Sequence, residues 1–143
     1  MTELTLDHAR TIIETAFAKG EELGLKPLGV VVLDAGGHPV AMMRQDGSSF
    51  MRLDIAGGKA YGAIGVGRGS RFLNDAAIER PHFVAALSGV AGGRMVPVPG
   101  GVVIKDTEGR ALGGVGVSGD TSDNDEACAV AGIEAAGLVA IVD

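Results

Sequence analysis

Side chains able to do chemistry are sparse in this chain and fall in a few short stretches. The most suggestive is GGVGVSGDTSDNDEACAV, residues 113–130. Gly114, Gly116 and Gly119 fit the spacing of a dinucleotide-binding turn, and a burst of acids follows. Such a turn must lie between a strand and a helix of a parallel unit. Here Gly113, Val115 and Val117 still continue a strand that arrives through a short turn, so the stretch reads as structural. A calcium loop fails too: with Asp120 as first ligand, Ala131 occupies the twelfth position, where a bidentate Glu is needed. Acids at the start of a helix complement its dipole, and Ser122 or Asp123 is the expected cap.

The remaining candidates are cations, histidines and turns. Lys59, in GGKAYG, is surrounded by small residues; it either snorkels out or points into a glycine-lined cavity. Arg44, beside Asp46, reads as half of a surface ion pair at a strand end, and Arg52 as part of a solvated helix face or a second cation for an anionic ligand. Pro99, Gly100 and Gly101 form either an edge-strand corner or a turn whose exposed N–H groups receive an anion. Asp125 and Glu126 are helix-start acids, one of which is expected to face the cleft and orient Lys59 or Arg44. Of the histidines, His8 and His38 read as solvated, and His82, among apolar residues in ERPHFVAAL, is either the imidazole ligand or a buried histidine satisfied by a backbone carbonyl. No two histidines have metal-ligand spacing, so no metal site is expected. Met42, Met43, Met51 and Met95 read as adaptable core filler. The glycines at 57, 58, 100 and 101 remove side chains, and the spaces they leave are expected to open a cleft where Arg44, Lys59, the Pro99–Gly101 corner and the last helix converge.

These side chains must be held by a frame of 143 residues, the length of one domain (1–143). A net charge of −6 with twelve Lys and Arg argues against a nucleic-acid partner. No apolar run approaches a membrane span, no leader pattern opens the chain, and one cysteine, Cys128, excludes an internal disulfide. A cytoplasmic protein is expected. With 24 glycines, no Trp, one Tyr and four Phe, the core is thin, and a homo-oligomer, dimer or larger, is the expectation.

Periodicity supplies the elements. Residues 6–23 have helical spacing, with Thr5 as the cap and Gly24 at the stop. A β-hairpin turns at Asp34–Gly37 and ends near Arg44. A helix follows from Met51 despite Gly57 and Gly58, then a helical stretch over 74–87 broken by Pro81. Next come a short strand before Pro99, strands over 102–105 and 111–118, and a last helix over about 123–138. Strands joined by short turns favour an antiparallel sheet covered by helices.

Two segments carry a resemblance. GGVVIKDTEGRALGGVGVSGDTSDNDEACAVAGIEAAGL and VVVLDAGGHPVAMMRQDGSSFMRLDIAGGKAYGA are similar to the signatures of the GlcG/HbpS family, the haem-degrading or haem-binding family that includes the C-terminal domain of PduO. The likeness covers essentially the whole chain. It implies an α+β fold: a profilin-like α/β/α sandwich with a five-stranded antiparallel sheet flanked by helices, assembled into dimers or larger oligomers. It also implies a small-molecule ligand, namely haem, a flavin or a cobalamin-related compound, in a cleft bordered by the Arg44 corner. Arg44, Arg52, Lys59, Pro99, Gly100 and Gly101 would then bind the cofactor, with His82 the axial imidazole. A different class stays open: a cofactorless lyase, isomerase or hydrolase acting on a small carboxylate or epoxide-like metabolite. There Arg44 or Lys59 would anchor the anion, and His82, Asp125 or Glu126 would transfer protons.

Overall fold

The computed structural model describes residues 3–143. The elements are α1 (Leu6–Glu22), β1 (Gly29–Asp34), β2 (Pro39–Arg44), α2 (Met51–Val66), α3 (Ser70–Glu79), α4 (Pro81–Val90), β3 (Gly101–Lys105), β4 (Ala111–Ser118), α5 (Ser122–Ala135) and β5 (Val139–Ile141). The strands form one sheet in the order β2-β1-β4-β3-β5, each neighbouring pair antiparallel. Five helices and a five-stranded antiparallel sheet make the α+β fold expected from the sequence.

Both hairpins turn on the same device. Asp34 Oδ1 accepts from the backbone N–H groups of Gly36 and His38, each at 2.9 Å, and Gly37 takes the left-handed conformation at φ +84°. Asp106 Oδ1 accepts from Glu108 (3.0 Å) and Arg110 (2.9 Å), with Gly109 at φ +87°. An aspartate that ties down the donors of its own turn, followed by a glycine free of Cβ strain, fixes each register. Alternation along β1 then divides the core. Val30 and Val32 face α1 and α5, joining Ile12, Ile13, Cys128 and Ile133. Val31 and Leu33 face the other way, against Ala56 and Ala60 of α2.

The glycines of the 113–119 stretch acquire their reason here. Gly113, Gly114 and Gly116 lie in β4, and α2 rests on that strand, meeting its backbone at Gly116. A Cβ at Gly116 would collide with the Ala56 carbonyl, and one at Gly114 would sit 2.8 Å from Ile64. The strand has no room for a side chain of its own beneath this helix at 114 and 116.

The 74–87 stretch breaks at Pro81 as expected, into α3 and α4, with Pro81 opening the second at a position that needs no N–H donor, and the two helices extend beyond it to Ser70 and Val90. Three local expectations need correction. No strand precedes Pro99: Val96 donates to the Gly58 carbonyl of α2 (3.1 Å) instead of entering the sheet. The cap of α5 is Thr121, whose hydroxyl accepts from Asn124 N, and not Ser122 or Asp123. That helix ends at Ala135, and residues beyond the left-handed Gly137 form the edge strand β5.

Candidate functional site

Helix α2 positions most of the chemistry. It is built from small residues and begins without a side-chain cap, ending at left-handed Gly67. One face, with Ala56 and Ala60, lies on the sheet. Lys59, on the β3 side, is 2% exposed. Its Nζ donates to the Val117 carbonyl (2.9 Å) and to Asp125 Oδ2 (3.1 Å). Burial pulls the Lys59 amine below its ordinary basicity, and the Asp125 carboxylate partly restores it. The other oxygen of Asp125 accepts from Asp120 N (3.0 Å), so the pair ties α2 to β4 and to the start of α5.

The structure brings Lys59, Asp125, Gly100 and Gly101 together, but the space between them is filled. A Cβ on Gly100 would lie 2.8 Å from Lys59 Nζ, and one on Gly101 would collide with the Lys59 carbonyl. These glycines admit the lysine rather than a ligand, because the Ser70 hydroxyl also closes the corner, accepting from Gly101 N (2.7 Å) and donating to Val98 O (2.6 Å). Pro99 is buried in the same corner. Arg52 adjoins this group by donating to Ser118 Oγ (3.1 Å). Arg44 stands two strands away in the same row, its Cα opposite Gly29, which is itself opposite Ser118. It lines a separate cleft of about 510 Å³ with Phe17, Glu21, Lys26 and Asp46.

The other candidates are elsewhere. Glu126 is held by Arg71 of α3 (Nε to Oε2, 3.0 Å), which also pairs with Asp123. His82, read among apolar neighbours, is exposed in the first turn of α4, because Phe83 and Val84 take the inward positions. His8 completes a capping box with Thr5, and His38 lies 3.3 Å from Asp34. No cluster of three metal-ligating side chains exists among the described residues. Cys128 is buried and its thiol is pushed up to about 11 by desolvation.

A cavity opens on the opposite flank of α2, toward the edge strand β2. It measures about 530 Å³, and its walls include Val31, Leu33, Met42, Met51, Tyr61 and Val96. Gly57 opens onto it, with nothing within 4 Å of a notional Cβ. Asp54 and Arg94 are the charged residues of the lining. Met42, Met43 and Met51 are not core filler: they are 45%, 55% and 55% exposed, since the first two stand on an edge strand and the third on the first turn of α2, while Met95 is buried as expected. Sequence reasoning missed Arg94 and Tyr61, whose proximity depends on the packing of the 91–96 segment against α2.

Relatives agree with this architecture. The profile of the family described as "Haem degrading protein HbpS-like" matches residues 4–134. An uncharacterized 15.0 kDa protein of the dhaT-dhaS intergenic region of Citrobacter freundii is 30% identical over 122 residues, 85% of this chain and 84% of that one. The crystal structure of a PduOC–haem complex superposes with a TM-score of 0.85 at 22% identity, covering 96% of this chain and 97% of that one. A double mutant of Streptomyces reticuli HbpS gives 0.80 at 27% identity, covering 94% and 87%. With a profile match that runs from before α1 almost to the end of α5, and a fold shared with HbpS, this chain belongs to the haem-degrading, HbpS-like family.

Proposed function

We propose that this protein binds haem, or a related planar tetrapyrrole, in the cavity between α2, β2 and the 93–96 segment. The observation that carries the reading is the lining itself. At about 530 Å³ and walled by aliphatic, methionine and tyrosine side chains, it has the size and character of a cofactor site. Met42, Met51 and Tyr61 are side chains of the types that ligate haem iron. Bound haem would supply iron-centred redox or ligand-binding chemistry, while Val31, Leu33 and Val96 would keep water from its buried face. The PduOC structure holds haem, which supports a tetrapyrrole and not a flavin. Among the described residues no helix is long and apolar enough to cross a membrane.

We give the cofactorless-enzyme reading second place. Its proton-transfer set is dispersed: Lys59 and Asp125 are closed off against each other, Glu126 is engaged by Arg71, and His82 is out on α4.

Haem titration followed at the Soret band tests the proposal. A saturable shift is expected in the wild type and in His82→Ala, with an altered band position or affinity in Met42→Ala or Met51→Ala. A featureless wild-type titration overturns haem binding. A band lost only in His82→Ala would move the site to α4.

A further inference from the structure

Resting on the ligand reading above, we propose that Arg94 makes this cavity selective for a free carboxylate at the ligand's edge, with Tyr61 positioning its guanidinium. The segment that delivers Arg94 is fixed at both ends. Gly92 and Gly93 are both left-handed, at φ +66° and +76°, and turn the chain back from α4 toward α2. Beyond Arg94, Met95 is buried and Val96 donates to the Gly58 carbonyl (3.1 Å). A Cβ on Gly58 would lie 2.6 Å from Val96 and 3.0 Å from the Arg94 carbonyl, so the close seat of this segment requires that glycine.

The side chain is held as firmly as the backbone. Nε donates to the Ala91 carbonyl (2.9 Å), and Cζ lies 4.2 Å from the centroid of the Tyr61 ring. These two contacts set the plane of the guanidinium and leave both terminal NH₂ groups without a partner among the described residues. Arg71 is the contrast: its guanidinium is paired with the carboxylates of Asp123 and Glu126. An arginine with no carboxylate, stacked on an aromatic ring at the rim of an apolar cavity, is prepared to receive one. Because its rotamer is already fixed, little ordering cost falls on binding. The ligand class is therefore a flat apolar body with a carboxylate at one edge, as a haem propionate presents.

Haem and its dimethyl ester share the macrocycle and differ in the charge at that edge. Both are titrated against the wild type, Arg94→Ala, Arg94→Lys and Tyr61→Leu, with melting curves to establish that each variant is folded. The wild type is expected to bind haem about tenfold more tightly than the ester, the usual worth of one charge-assisted hydrogen bond. Arg94→Ala should abolish that ratio, Arg94→Lys should retain part of it, and Tyr61→Leu should reduce it. Loss of packing alone would weaken both ligands alike and leave the ratio intact. Equal binding by the wild type, or a ratio that survives in Arg94→Ala, overturns the proposal. If neither porphyrin binds, the tetrapyrrole reading fails on its own. The selectivity is then read from 2-naphthoate against 2-naphthamide: a preference for the acid that vanishes in Arg94→Ala sustains it, and equal or absent binding overturns it.

Discussion

Lys59 looks in sequence like a cation waiting for a ligand, yet its partner is internal. A lysine among glycines and alanines has room on every side, and sequence alone does not say which neighbour will fill that room. Here Asp125 does, at the start of a helix far along the chain. Removing one member of a buried pair strands the other charge away from water. Asp125→Ala is therefore expected to cost about 3–5 kcal/mol. Lys59→Met/Asp125→Leu should cost much less than the sum of its single changes. Urea denaturation of the four proteins checks this cycle. By the same argument truncation of Lys59 should lower the melting temperature, whereas Arg44→Ala, at an exposed strand end, should leave it nearly unchanged. Arg94 shows the converse. Nothing in RMVPVPGG marks its first residue, because its setting is made by Tyr61 on another helix.

Among the elements, those with strong local signals were legible: α1 with its Thr5 cap, and the first hairpin with its Asp34–Gly37 turn. The errors fell where tertiary contacts decide between locally equal options. Asp120, Thr121, Ser122 and Asp123 are all cap-forming residue types. Thr121 takes the cap because the Asp120 carboxylate is engaged by Lys26 N and the Asn124 side chain, and Arg71 draws Asp123 outward. Thr121→Ala should thus lower stability by about 1 kcal/mol, as loss of a cap does. Asp123→Ala, which loses only an exposed ion pair, should change it by less than about 0.5 kcal/mol in the same denaturation assay.

The hairpin turns add a pH dependence. Asp34 and Asp106 are held below the usual carboxylate range, chiefly by the backbone N–H groups of His38 and Arg110, and Asp120 chiefly by the Asn124 side chain. A carboxylate with a depressed folded-state pKa contributes stability that is present above its unfolded value near 3.8 and is lost as pH falls through the lowered value. Melting temperatures at pH 6 and pH 3 should therefore fall further for the wild type than for Asp106→Asn, which keeps the acceptor but cannot titrate. Equal drops would refute the assignment.

For the molecule as a whole, apolar side chains remain on the surface: Met43, Phe50, Ile78 and Val90 are 55–86% exposed. Together with a core poor in aromatics, this leads us to expect a dimer or larger species in sedimentation at micromolar concentration, and a clean monomer would defeat that expectation. The candidate site was legible only in part. The run of small residues on α2 pointed to a concavity beside that helix, and Gly57 does open onto one. Which flank of the helix stayed empty depended on how Lys59, Gly100 and Gly101 packed, and no spacing in the sequence encodes that choice.

The glycine face of β4 has a further meaning for whatever the cavity holds. Since α2 rests on strand backbone, its height above the sheet is set by missing atoms at 114 and 116. Val31 and Leu33 of the adjacent strand are the cavity's floor and α2 is its wall, so that height also governs the clearance offered to a flat ligand. A single methyl group at 116 would act as a wedge beneath the wall. Gly116→Ala is expected to destabilise the protein by about 1–3 kcal/mol, the usual range for overpacking. In the molecules that remain folded, it should change haem affinity with every lining side chain intact. Affinity in this fold is then adjustable from underneath, by thickness instead of contact, and titration of that variant beside its melting curve would separate the two effects.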